Sequence, residues 1–372
     1  MATSYAGERI RTARLLFGLT QGELAHAAQV SQTLISHVEK GHREATDELL
    51  DAIAAAVATP RSFFDVIPET IPLGSLRFRR NATASQKDTN RATALFAEAF
   101  RVIVQLITPV GYPTPAVPRP QAHLTGDDIE ELAEQAREAL QLSPDAPIPH
   151  VTRALERAGI AIVPIVLPSR EPAEEAATPG HFGLSYWPGP AEHALIGYFP
   201  GSKADRDRFT LAHELGHIVL HTHRAAADPE AEANRFASAF LMPRGRAVEV
   251  LDQRLVLSDY ARLKAIWGMS IQALIMRGTD IGLIDRVRSR SLSVQLSARG
   301  WRRNEPVTVH PEEPQLLWRL LTIHYGKPPY RRAVDPLAIP AVILRSLAPA
   351  PSHPQSPPTV ARPRRAPVRQ LR

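Results

Sequence analysis

Apolar side chains recur at helical spacing between residues 7 and 67, broken at Gly18 to Thr20, Ala28 to Ser31 and Gly41 to Thr46. This pattern predicts several short helices. An extended or irregular piece, PETIPLGSLRFRR, follows, then one helix over Gln86 to Ile107 and a connector, PVGYPTPAVPRP. Its prolines predict an exposed linker or hinge over Pro109 to Pro120. A second pattern begins near Thr125, with helices at Asp127 to Leu140 and Pro149 to Ala158. The apolar run GIAIVPIVL reads as a strand, and HFGLSYW and HALIGYF, separated by PGPAE, read as a hairpin. A helix over RFTLAHELGHIVLH comes next, and residues 243 to 326 are again helical in pattern. Within them YARLKAIWGMSIQALIMRG reads as a helix-turn-helix with Ser270 as the cap of its second helix. The predicted fold is therefore mainly α with a small β-sheet, an α+β chain. Its predicted divisions are 7–67, a linker with one helix at 68–124, 125–250, a helical region at 251–326, and a tail at 327–372.

Charge changes the picture only at the end of the chain. The net charge is +6, but Lys327 to Arg372 holds nine Lys/Arg against one Asp, so the preceding residues carry about −2 (6 − 8). The tail also contains eleven of the 34 prolines, a composition that predicts disorder, with nonspecific help in DNA binding as the alternative. No run of eighteen apolar residues occurs and the N-terminus lacks a secretory apolar core. The expectation is a cytoplasmic, soluble chain with no membrane partner. Without cysteine, a metal would be held by His and carboxylates alone.

In LTQGELAHAAQVSQTLISHVEKG, Thr20 and Glu23 form a capping box, Ser31 caps the next helix, and Leu24, Ala25, Val30, Leu34, Ile35 and Val38 give an apolar inner face. A short turn between two such helices projects the second into a major groove. Gln32, Thr33, Ser36 and His37 then face outward to bases or phosphates, with Ser31 at the helix start and Gln21 placed for a phosphate. Six Lys/Arg against eight Asp/Glu in residues 1–67 predict weak intrinsic attraction to phosphates and hence dependence on a homodimer. Arg9, Arg11, Arg14, Lys40 and Arg43 are the basic groups available to cluster on the DNA side, with Arg77, Arg79 and Arg80 as further contacts. A helical bundle making only protein contacts is the plainer alternative.

In HELGH, His213 and His217 lie four apart, so both imidazoles leave one helix face. Two imidazoles and one carboxylate suit Zn2+ with a position left for water, and Glu214 is placed as general base. The helix PEAEANRFASAFLMP supplies the third ligand. Glu230 shares a stripe with Ala233, Asn234 and Ala237, and Asn234 then supports a ligating histidine. Glu232, about 200° around the helix, remains the alternative. His221 either packs or touches substrate.

Residues 7–66 resemble the XRE family of Cro/repressor-type helix-turn-helix domains. FTLAHELGHIVLH with EAEANRFASAFLMP resembles the ImmA/IrrE metallopeptidases over about residues 150–250. LRFRR and GMSIQALIMRGTDIGLI resemble regulators in which the two are fused, so the likeness reaches about residue 320. The resemblance implies a zincin-like domain with His213, His217 and Glu230 on Zn2+, Glu214 as catalytic base, and a zinc-dependent endopeptidase that cuts a transcriptional repressor, in trans or in cis. A double-stranded DNA operator and a repressor substrate are the partners it implies. Two other readings stand beside it: a non-proteolytic transcription factor whose zinc domain senses a ligand or dimerises, and a peptidase whose helix-turn-helix docks its substrate.

Overall fold

The structure is a computed structural model that describes residues 5–69, 71, 86–120, 123–166, 183–201 and 203–352. The N-terminal helical unit, referred to below as the reader, comprises α1 (Ala6–Leu16), α2 (Gln21–Ala27), α3 (Gln32–Glu39) and α4 (Asp47–Ala56), followed by a 3-10 turn at Arg61–Asp65. Its helices start where side chains satisfy orphan backbone donors. Thr20 and Glu23 make the reciprocal capping box, and Ser31 and Thr46 cap α3 and α4.

The long α5 (Gln86–Ile107) is followed by α6 (Gly126–Ala139), α7 (Val151–Arg157), β1 (Ile160–Pro164), β2 (Gly183–Tyr186) and β3 (Ala194–Tyr198). Strand order is β1-β3-β2, with β1 parallel and β2 antiparallel to β3. Next come α8 (Ala204–His221), α9 (Pro229–Leu241), α10 (Arg244–Val250), α11 (Leu257–Trp267), α12 (Ile271–Asp280) and α13 (Arg286–Ala298). The expected Ser270 cap is present at the start of α12.

The sheet separates two apolar cores. Ala161, Val163, Leu184 and Leu195 face a core shared with α5 and the reader, whereas Ile160, Ile162, Ala194 and Ile196 face α8 and α9. Burial of both faces explains why β1 is continuously apolar in sequence rather than alternating. Helix α5 is long and apolar enough to cross a membrane by length and composition. Here its apolar positions pack against the reader, the sheet and the later helices.

Three expectations change. The segment 68–124, expected as a linker with one helix, places in α5 the central helix of a core common to reader and sheet. Arg9 of α1 donates to Phe63 O at 2.9 Å and pairs with buried Glu98 of α5, which also holds Arg101 at 2.8 Å. The Pro109–Pro120 connector is not a free hinge. Tyr112 donates to Glu156 O at 2.7 Å, Pro115 and Val117 are buried, and a Cβ on Gly159 would lie 2.2 Å from Pro113 O.

The third change concerns the tail, whose described part is ordered and helical. After α14 (Leu316–Tyr325), helices α15 (Tyr330–Leu337) and α16 (Ala341–Leu347) bury Leu337, Ile339, Ile343, Leu344 and Leu347 in the α5 core. Composition averaged over 46 residues concealed the apolar run LAIPAVILRSLA, which suffices for two short packed helices. Residues 353–372, and Arg77, Arg79 and Arg80, lie outside the described residues.

Candidate metal centre and nucleic-acid interface

Helix α8 carries HELGH on its buried face, and α9 packs across it. Contact is close at Gly216, where a Cβ would lie 3.2 Å from Ala233 Cα. His213 and His217 are almost wholly buried, with their Nε2 atoms 3.0 Å apart. Glu230 presents one carboxylate oxygen to each, at 3.3 Å. One ligand atom from each of the three residues lies within 4.8 Å of the others. Three ligands of a tetrahedral ion at about 2.1 Å stand about 3.4 Å apart, close to these separations. The nitrogens fit as well. His213 Nδ1 is 3.1 Å from Asn234 Oδ1 and His217 Nδ1 is 3.0 Å from His221 Nδ1, so the outer nitrogens have partners and the inner ones face each other and Glu230. Two imidazole lone pairs and an anionic oxygen converging without a donor between them suit a cation.

Of the two glutamates left open by helical register, Glu230 lies beside both histidines. Glu232 turns away to His221 Nε2 at 3.1 Å and to Arg224.

Glu214 is fully buried between α8 and β2. Ser185 Oγ donates to its Oε2 at 2.6 Å, while Oε1 has no hydrogen-bond partner among the described residues. Burial raises its pKa, against the lowering charges of His217 and His213 and the Ser185 hydrogen bond. Gly183 makes room for it: a Cβ there would meet Glu214 Oε1 at 2.4 Å and Cγ at 2.7 Å. Sequence reading missed Gly183 and Ser185. The available signal was a glycine and a serine at i, i+2 on one face of a strand whose other face, Leu184 and Tyr186, is apolar.

In the reader, Gln32, Thr33 and His37 are exposed on α3 and Ser36 is half-buried. Ser31 is exposed, and its Oγ accepts from Leu34 N at 3.2 Å. Gln21 has its amide nitrogen donated to Glu39 at 2.8 Å, and Arg14 pairs with the same carboxylate at 2.6 Å. The expected basic cluster is correspondingly smaller. Arg9 is buried with Glu98 and Arg14 is held by Glu39, which leaves Arg11, Lys40 and Arg43 exposed.

Residues 10–64 match the family model described as helix-turn-helix, and residues 170–279 match the one described as IrrE N-terminal-like domain. Transcriptional regulators ClgR of Mycobacterium tuberculosis strains CDC 1551/Oshkosh and ATCC 25618/H37Rv are each 33% identical over 104 residues, 87% of the relative and 28% of this chain. The chain belongs to the XRE-type regulators that carry an ImmA/IrrE-type domain. As a DNA-binding transcriptional regulator, it places its helix-turn-helix at the N-terminus and its IrrE-like region over β2, β3 and the helices from α8 into α12.

Proposed function

We propose that this regulator is a cytoplasmic zinc-dependent endopeptidase that cleaves a repressor protein, with its reader bound as a dimer to an operator. The observation that carries the reading is the convergence of His213, His217 and Glu230 beside a buried carboxylate, Glu214, one oxygen of which has no hydrogen-bond partner among the described residues. His213 Nε2, His217 Nε2 and Glu230 would hold Zn2+, which when bound supplies Lewis acidity toward a peptide carbonyl and makes water more acidic. Glu214 Oε1 takes the proton from the attacking water as its oxygen adds to the carbonyl carbon. The same carboxyl then returns that proton to the departing amine as the C–N bond breaks. Ser185 keeps Oε2 fixed through both transfers. Raised basicity is what this shuttle requires: burial makes Glu214 a better base than a solvated glutamate and a competent acid once protonated.

A groove of about 410 Å³, lined by Ser185, Tyr186, Trp187, His217, His221 and Arg224, runs beside the centre. β2 is an edge of the three described strands, so an extended substrate segment can add alongside it. On the reader, Gln32 and Thr33 contact bases, while Ser31, Ser36, His37 and Gln21 hold the backbone and register. Wild type and Glu214→Gln, each loaded with zinc and incubated with candidate repressors, test the proposal. Cleavage by wild type alone, at equal metal content, is the expected result, and equal cleavage by both removes Glu214 from the reaction.

A further inference from the structure

His221 sits one turn beyond His217 on α8, and its side chain is 1% exposed. Its two nitrogens face different partners: Nδ1 lies 3.0 Å from His217 Nδ1, and Nε2 lies 3.1 Å from Glu232 Oε2. Glu232 is held in turn by Arg224, whose Nε donates to Leu220 O at 3.2 Å. These contacts form a line from the buried histidines to the start of the loop between α8 and α9.

The protons along this line follow from the chemistry of each group. A carboxylate paired with a guanidinium only accepts, so the hydrogen between Glu232 and His221 belongs to His221 Nε2. Taken as a neutral imidazole, His221 has its one N–H on Nε2, which makes its Nδ1 an acceptor. The hydrogen between the two Nδ1 atoms must then come from His217. His217 Nε2 is left bare, and it is the atom that faces His213 Nε2 and Glu230. The opposite tautomer would put a hydrogen on His217 Nε2 and set two lone pairs against each other at His221 and Glu232.

We propose that His221, Glu232 and Arg224 are a positioning relay that fixes His217 in the Nδ1-protonated tautomer and strengthens it as a metal ligand. The inference rests on the reading of His213, His217 and Glu230 as metal ligands, and adds a role for residues that reading leaves unused. In the familiar arrangement a carboxylate accepts directly from the outer nitrogen of a ligating histidine and raises its basicity. Here a second histidine is inserted, because Glu232 starts on the far side of α9 from Glu230 and reaches His221 rather than His217. Arg224 pairs with Glu232 and keeps it aimed at His221. His213 receives its equivalent from Asn234, a neutral acceptor, so the two imidazoles are supported unequally: one by an amide, the other by a charge passed through a ring.

The test uses the intact chain. His221→Phe retains a ring in the buried site and removes both hydrogen bonds. Glu232→Leu removes the acceptor at a half-buried position and keeps the protein foldable should the first variant fail. Zn2+ affinity is measured by competition with a chromogenic chelator. Long-range 1H–15N correlation spectra of the metal-free protein report which nitrogen of His217 carries hydrogen. Both variants should bind Zn2+ roughly 10- to 100-fold more weakly. Wild-type His217 should be protonated at Nδ1, and the variants should show a mixture. If His221→Phe binds Zn2+ like wild type, or Glu232→Leu leaves the His217 tautomer unchanged, the relay is wrong. A wild-type chain that binds no metal but shows Nδ1–H on His217, lost in Glu232→Leu, would defeat the metal reading and leave the hydrogen-bond relay standing.

Discussion

Replacing Gly183 by Ala adds one methyl group on the strand face that covers Glu214. That methyl carbon would lie 2.4 Å from Glu214 Oε1, 2.7 Å from Cγ and 2.8 Å from Cδ. Ordinary contact between carbons is about 3.5 Å or more, so the carboxylate or the strand must move by about 1 Å. The backbone itself does not resist the change, since Gly183 is in an extended strand and is not among the residues with positive φ. Glu214 is fully enclosed, so it cannot swing into solvent, and movement costs it the 2.6 Å hydrogen bond from Ser185. Overpacking of this kind costs about 1–3 kcal/mol of stability. Misplacing a catalytic group by about 1 Å costs about 100-fold in rate. His213, His217 and Glu230 are untouched, so zinc per chain should stay at the wild-type level. The assay is cleavage of a repressor at saturating zinc, with metal content and a thermal melt on the same samples. Gly183→Ala cutting within about threefold of wild type would refute the assignment of Glu214, in this position, as the proton-transferring group. Loss of zinc together with activity would instead show that the strand supports the ligands and not only the base.

A pH-dependent prediction comes from Glu156, whose carboxylate accepts from Gln315 N and Leu316 N at 2.9 and 2.8 Å at the start of α14. Burial pushes its pKa up from 4.5 to about 7, against the lowering effect of those two donors. The folded chain then binds more protons than the unfolded one between these values. Stability should fall as pH rises from about 4.5 to about 7 and level off above, by at most about 3 kcal/mol. Glu156→Gln should flatten that window in urea unfolding, and an unchanged slope would contradict the cause given. Changing Gln32 and Thr33 to Ala should alter which duplex is selected from random DNA rather than weaken all duplexes equally; a uniform loss would place them on phosphates. A chain ending at residue 326 should be substantially less stable in urea, because it loses the buried side chains of Leu337, Ile339, Ile343, Leu344 and Leu347 together with those of Tyr330, Ala333, Ala338 and Ala348. Wild-type stability in that shortened chain would show that the packing of 330–348 contributes little.

The sequence by itself determined the elements whose signals are local. Thr20 with Glu23, Ser31 and Ser270 announce helix starts, because a cap is made within four residues. His213 and His217 share a face by helical periodicity alone, and the same periodicity separates Glu230 from Glu232 without saying which one meets the histidines. That choice was decided by the way α9 crosses α8 at Gly216, a contact that depends on two helices at once. The enclosure of Glu214 likewise comes from β2, some thirty residues earlier, and no spacing rule links Ser185 to a helix it meets only through the sheet. Composition misjudged residues 330–348 of the tail, since an average over many residues hides a short apolar run, and whether such a run packs depends on the face α5 leaves open. Arg9 was legible as a basic residue near a DNA reader. Its burial against Glu98 was decided by tertiary structure, because a charge goes inside only where a distant partner is folded against it.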